Sequence, residues 1–157
     1  AKTADEVKTR WDEIKAEEKK SRGELVKGLL EAIPKALPAL VEAQQISSKA
    51  AGAGFDWENI HQVGDKVREE VLELEQAEAS TARGSEEIEG ELGDLLFTIV
   101  NLARFLKVDP EQALRKTNQK FRKRFAHVER GLAARGKQLE ESSIEEMEAL
   151  WQEAKTL

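Results

Sequence analysis

The sequence predicts an all-α fold, an antiparallel helical bundle, and three observations predict it. Ala, Leu, Glu, Lys and Gln, all good helix formers, are abundant across the 157 residues. Apolar residues recur at three- and four-residue spacing in long segments, and no segment shows the strict alternation of a half-buried strand. Breakers are sparse and clustered, with Pro34 and Pro38 four residues apart and Pro110 at a predicted helix start.

The elements follow in chain order. "DEVKTRWDEIKAEEKKSRG" predicts a polar helix with few core residues, Val7, Trp11 and Ile14, and weak anchoring. Pro34 and Pro38 delay the next helix to about Ala39, from where it runs to Gly52 and Gly54. Asp56 is placed to cap a long helix from Trp57 to about Ala79. After the short connection "STARGS", Ser85 and the acidic run Glu86–Glu89 open a helix ending near Lys107. Asp109 as cap and Pro110 at the first helical position begin another, which continues to Arg135 and Gly136. A final helix follows Ser142 and Ser143 and contains Met147, Leu150 and Trp151.

Composition narrows the function classes. A chain of this length buries a real core as one domain. With 36% charged residues and a net charge of −6, wholesale nucleic-acid binding is disfavoured, while a local basic patch for a small phosphorylated ligand is not. No cysteine is present, so disulfides and thiolate metal sites are excluded, in keeping with a reducing, cytoplasmic setting. No apolar run reaches the roughly 20 residues of a membrane span, so no membrane partner is expected. The chain begins at Ala1 rather than Met, which points to processing or to a piece of something longer.

The chemistry concentrates in two Glu-x-x-acid pairs, Glu70/Glu73 and Glu91/Asp94. At about 100° per residue, Glu70 and Glu73 lie near −60° and −120° from Val67, and Glu91 and Asp94 take the same offsets from Ile88. Each pair therefore flanks its apolar arc: Ile60, Val63, Val67, Val71 and Leu74 in the first helix, and Ile88, Leu92, Leu95, Leu96, Ile99 and Leu106 in the second. A short connection makes the helices antiparallel neighbours, and with the arcs facing, all four carboxylates converge on one side. At about 5 Å and an effective dielectric near 20, each such pair repels by roughly 3 kcal/mol. A cation offsets this, and an all-carboxylate set without His or Cys suits magnesium, with manganese as substitute. One Glu-x-x-Glu alone is usually a solvated edge; two at matched angles are a stronger signal.

A basic helix adds a second half. In "LRKTNQKFRKRFAHVERGL", Leu114, Thr117, Phe121, Phe125, Val128 and Leu132 are expected to face the core. Lys120 and Arg124, one turn apart, are placed to grip a polyanion together. Lys66 precedes Glu70 by one turn and reads as a counter-ion or a phosphate contact. Trp151 reads as a base-stacking or packing residue. His61 and His127 lack an acid at ligand spacing and read as structural.

These residues resemble a known family. Glu69-Glu70-Val71-Leu72-Glu73, followed by Glu91-Leu92-Gly93-Asp94, is similar to the EExxE…ExxD signature of the MazG nucleoside triphosphate pyrophosphohydrolases, in the all-α pyrophosphohydrolase superfamily. Ala32–Leu40, the "GFDW" of Gly54–Trp57, "ELGDLLFTIVNLARFL" and "KFRKRF" extend the likeness over essentially the whole chain. "RWDEIKAEEK" resembles the segment joining two tandem modules, so residues 1–38 are expected to be a linker-like segment with a helix and 39–157 the module proper.

The resemblance implies a MazG-type bundle whose core is completed by homodimerisation. It implies hydrolysis of nucleoside triphosphates between the α and β phosphates, giving monophosphate and pyrophosphate in cleaning the nucleotide pool. By matching positions, Glu70, Glu73, Glu91 and Asp94 would bind magnesium. Lys66, Glu87, Ile88, Glu89, Gly90, Lys120, Arg124 and Trp151 would contact the nucleotide. Beside these, Glu69 and Glu70 are the candidate catalytic carboxylates, with Glu69 taking the proton of the attacking water. The alternatives are a nucleotide-sensing module without turnover and a helical scaffold whose acidic edge only keeps it in solution.

Overall fold

The computed structural model describes residues 4–21 and 28–157, with side chains described for 9–18 and 28–157. Six α-helices account for most of it: α1 Ala4–Ser21, α2 Ala39–Gly52, α3 Ile60–Ser80, α4 Glu86–Phe105, α5 Pro110–Ala134 and α6 Ile144–Ala154. A single 3-10 turn, Leu139–Glu141, precedes α6, and no strand occurs among the described residues. The all-α expectation holds.

Local chemistry explains most helix starts. The Ser85 hydroxyl accepts from the Ile88 N–H, Asp109 accepts from Gln112 ahead of Pro110, and Ser143 exchanges hydrogen bonds with Glu146 in a capping box. The start of α3 differs from expectation. Asn59, not Asp56, is its cap, accepting from the Gln62 N–H. Asp56 instead accepts the Trp57 N–H and a two-pronged hydrogen bond from the Arg104 guanidinium of α4. A charge-assisted pairing with a residue far along the chain takes the place of a local cap. The turn before it closes with Gly54 at φ 94°, a conformation that favours glycine.

The packing divides into two parts. Helix α3 lies along α4, and α2 covers α4 from another side and touches α5. Helix α6 packs on α5 around Val128, Leu132 and Leu150, with Leu139, Met147 and Trp151 at the margin. Gly131 lets the α5 backbone approach here, since a Cβ on it would stand 2.5 Å from Leu150 Cδ2. In α1, Trp11 and Ile14, expected as its core residues, are exposed, while Val7 lies outside the described side chains.

One apolar expectation fails. Leu92, Leu96 and Ile99 of α4 keep 45%, 47% and 43% of their surface exposed, and Leu106 and Val71 are exposed as well. Leu114 and Phe121 of α5, expected in the core, are also exposed. The buried side of α4 instead carries Thr98, Val100 and Asn101, and that of α3 carries Val63, Glu70 and Ala77. The α3–α4 contact has turned through the acids rather than beside them, which leaves the leucine arc facing outward.

Candidate metal centre and nucleotide site

The short link 81–85 folds α3 back along α4, so the two acidic pairs meet. Glu70, Glu91 and Asp94 each offer a carboxylate oxygen, and these atoms lie within 4.8 Å of one another. Three of the four expected carboxylates meet, though not through the expected packing of the two apolar arcs face to face. The burial of one member was not expected: Glu70 is 4% exposed, in the middle of the α3–α4 contact.

Lys66 partly answers that burial. Its ammonium sits 2.7 Å from Glu70 Oε1 and 3.0 Å from Glu69 Oε1. Those hydrogen bonds, first to Glu70 and then to Glu69, hold the Lys66 pKa well above its ordinary value. Of the two readings for Lys66, the geometry displays the counter-ion. Glu70 Oε2 is buried and has no hydrogen-bond partner among the described residues. A buried carboxylate oxygen without a donor is costly, and a cation is what such an oxygen takes.

Glu73, half-buried one turn on, falls outside the tightest group. Loss of water raises its pKa, and the charge of Glu70 and, more weakly, of Glu91 pushes it further. A carboxyl that resists ionising beside two others marks excess negative charge that Lys66 leaves uncancelled. Glu69 is exposed and engaged with Lys66. Glu87, Glu89 and Gly90 are exposed on the first turns of α4, with Ile88 half-buried among them. The donor set is all oxygen, and with the orphaned Glu70 Oε2 it fits a hard divalent ion.

The row extends further than sequence reading followed it. Glu91, Asp94, Thr98 and Asn101 fall within an arc about 80° wide on α4. Thr98 and Asn101 are both buried, bonding back to the Asp94 and Phe97 carbonyls respectively. The signal was present as heptad-like spacing of polar residues, but "TIVNL" reads as apolar core unless that spacing is counted.

The basic half sits on the α5–α6 pair. Lys120, Lys123, Arg124, His127, Arg130 and Lys155 surround a cavity of about 200 Å³. Trp151 is in the same neighbourhood, with its ring 5.0 Å from that of Phe121 and the Arg124 guanidinium 5.9 Å from its centre. Trp151 is thus already engaged on its ring, half-buried against the α5–α6 core. His127 does have an acid nearby: its Nε2 lies 3.4 Å from Glu153 of α6, a neighbour invisible to local spacing.

Residues 58–129, which span α3, α4 and most of α5, match the MazG nucleotide pyrophosphohydrolase domain. This chain carries a MazG domain. It is 43% identical over 155 residues to a protein of Escherichia coli (strain K12) named nucleoside triphosphate pyrophosphohydrolase, covering 99% of this chain and 58% of that protein. It is also 43% identical over 145 residues to the nucleoside triphosphate pyrophosphohydrolase/pyrophosphatase MazG of Thermotoga maritima, covering 92% of this chain and 54% of the relative. The chain therefore spans somewhat over half the length of these relatives. A third relative, Bacillus subtilis YabN, is 42% identical over 150 residues, or 30% of its length. The two acidic pairs of the MazG domain and Lys120 and Arg124 all fall inside the matched span, whereas Trp151 lies beyond it. Among the described residues no helix is long and apolar enough to cross a membrane.

Proposed function

We propose that this chain hydrolyses nucleoside triphosphates between the α and β phosphates, releasing a nucleoside monophosphate and pyrophosphate, with magnesium as its ion. The observation that carries the reading is the buried, unpartnered Oε2 of Glu70 beside the Glu91 and Asp94 carboxylates. Glu70, Glu91 and Asp94 would hold the ion, with Glu73 as a fourth carboxylate. Such an ion, magnesium or manganese as its substitute, would supply charge neutralisation, polarisation of phosphoryl oxygens and a more acidic water.

The remaining steps belong to the protein. Lys66 balances Glu70 and would turn to the phosphates once an ion takes over that role. Glu69, exposed and adjoining, accepts the proton of the attacking water. Lys120 and Arg124 stabilise the charge that builds on the leaving pyrophosphate, and Trp151 holds the Arg124 guanidinium over its face. Glu87, Ile88, Glu89 and Gly90 line the phosphate end at the start of α4, where backbone N–H groups favour anions.

A homodimer completes the core: the outward arc of Leu92, Leu96 and Ile99 is a continuous apolar strip on one helix. The module proper is residues 39–157, with 1–38 a connecting segment. The setting is cytoplasmic, in cleaning the nucleotide pool, without membrane or nucleic-acid partners.

Incubation with a nucleoside triphosphate and magnesium, followed by assay of pyrophosphate, tests the reading. Pyrophosphate from the unaltered chain and its loss in Asp94→Ala are expected. Binding without product marks a sensing module instead, and full activity in Asp94→Ala sinks the metal assignment.

A further inference from the structure

The basic hollow on the α5–α6 pair holds more cations than the proposed reaction uses. Lys120 and Arg124 are assigned to the leaving pyrophosphate, but Lys123 and Arg130 of α5 and Lys155 at the end of α6 line the same cavity. On α5 the basic side chains from Lys120 to Arg130 fall within an arc about 120° wide and about 15 Å long. Arg130 lies about 9 Å along the helix from Arg124 and about 120° round it. An anion gripped by Lys120 and Arg124 is therefore not the one that Arg130 meets.

These charges lack what normally balances a basic face. Among the described residues, Lys120, Lys123, Arg124, Arg130 and Lys155 form no ion pair. Glu153 approaches His127 instead, at 3.4 Å, and the buried His127 Nε2 has no hydrogen-bond partner there. Glu129 lies on the opposite side of α5, about 180° from Lys120. The chain as a whole carries a net charge of −6, so this concave cluster inverts the field locally. Low-dielectric walls focus such a field into the hollow.

Size sets the class of ligand. About 200 Å³ is below the roughly 300–1,000 Å³ of sites that enclose a drug-sized molecule. The hollow has room for a small oxyanion and some water, but not for a nucleoside. Lysine and arginine take phosphate oxygens, one as a point charge and the other as a fork. Position adds a mechanical consequence. Arg130 stands on α5 and Lys155 ends α6, two helices that pack around the small core of Val128, Leu132 and Leu150. Like charges at that end push the helices apart, and an anion between them draws them together. The contact of Arg124 with the Trp151 ring spans the same two helices.

We propose that this end of the α5–α6 pair is a binding site for a small phosphate-class oxyanion, held by Lys123, Arg130 and Lys155, whose binding pins α6 to α5. The site is separate from the metal centre and from the grip of Lys120 and Arg124. It stands whether or not the proposed reaction does.

Calorimetric titration of the full chain with inorganic phosphate and with pyrophosphate, in chelator and at constant ionic strength, tests it. Saturable binding is expected. Arg130→Ala and Lys155→Ala, both at exposed positions, should each weaken it roughly tenfold, as loss of a charge-assisted hydrogen bond does. Arg122→Ala removes the same charge from the far side of α5 and should leave the affinity unchanged. Hydrogen exchange of the α6 amides should slow when the anion is present. Saturation by inorganic phosphate shows that one phosphate group suffices, and saturation by pyrophosphate alone that two linked groups are needed; either supports the site. Asp94→Ala should bind as the unaltered chain does, so a chain that binds the anion yet releases no pyrophosphate from nucleotides sinks the reaction and keeps the site. Absence of saturable binding overturns the site. So does an equal loss in Arg122→Ala, which marks a diffuse field. Binding that Lys120→Ala and Arg124→Ala abolish, and that Arg130→Ala and Lys155→Ala spare, overturns it as well. Exchange in α6 that the bound anion leaves unchanged overturns the pinning.

Discussion

Replacing Glu70 with Gln separates a functional carboxylate from a structural ion pair. At an effective dielectric near 20, the 2.7 Å contact with Lys66 attracts by about 6 kcal/mol. Glu91 and Asp94, each within 4.8 Å, repel by at least about 3.5 kcal/mol apiece under the same screening. The repulsions together match the attraction, and burial adds a desolvation cost that no partner of Oε2 offsets. Gln keeps the shape and removes the charge, while Lys66 retains Glu69 at 3.0 Å. The metal-free protein is therefore expected to be as stable as before, or more stable by up to about 2 kcal/mol. For a chain of this size that is a rise in Tm of between nothing and about 8 °C.

The measurement is thermal unfolding at one fixed protein concentration, first with chelator and then with rising magnesium. The unaltered chain gains about 2.7 kcal/mol at a hundredfold excess over Kd, and Glu70→Gln loses most of that gain. An ion pair kept for stability behaves oppositely, because breaking a buried pair costs about 3–5 kcal/mol. A Tm drop of roughly 6 °C or more in chelator, with the magnesium response intact, would refute the assignment of Glu70 to a metal centre.

Three further outcomes are expected. Arg104 holds the Asp56 pKa below its ordinary 3.8, so the pair stabilises the fold above that pH and ceases to as pH falls through the depressed value; the Tm gap between the unaltered chain and Asp56→Asn should be constant above about pH 5 and close in acid. Leu96→Glu places a charge in the exposed arc of α4 and should give a monomer of unchanged helix content by sedimentation and circular dichroism; a persisting dimer removes that arc from the interface. Gly131→Ala drives a methyl into Leu150, and overpacking of about 1–3 kcal/mol outweighs the roughly 1 kcal/mol of helix propensity gained. Its Tm should fall by several degrees, and an unchanged Tm means the α5–α6 contact is looser than described.

Helix existence, most caps and the matched angular offsets of the acidic pairs were legible because each rests on local spacing. Ser85, Asp109 and Ser143 cap helices from residues three or fewer positions away. What was not legible rests on partners far along the chain. Asp56 abandoned the α3 cap for Arg104, 48 residues on, and His127 found Glu153 on another helix. The turn of α4 was misjudged for a different reason. Hydrophobicity alone assigns Leu92, Leu96 and Ile99 to the core, but the buried face of α4 carries Thr98, Val100 and Asn101, and Glu70 is the buried acid of α3.

That choice of face explains why the bundle tolerates so much polarity inside. Glu70, Thr98 and Asn101 are among its most buried residues, and none of them contributes what a leucine would at the same place. A packing driven only by apolar burial would rotate α4 by about 120–140°, bring the leucine arc against α3 and leave the acids in water. The observed rotation accords with the proposed homodimer, which gives the leucine arc another surface to meet, and with the proposed ion among the acids. The two requirements are coupled, since the same turn of one helix supplies both. Swapping Leu92, Leu96 and Ile99 for polar residues should therefore weaken magnesium binding without touching any carboxylate, because it removes the reason for α4 to face the way it does.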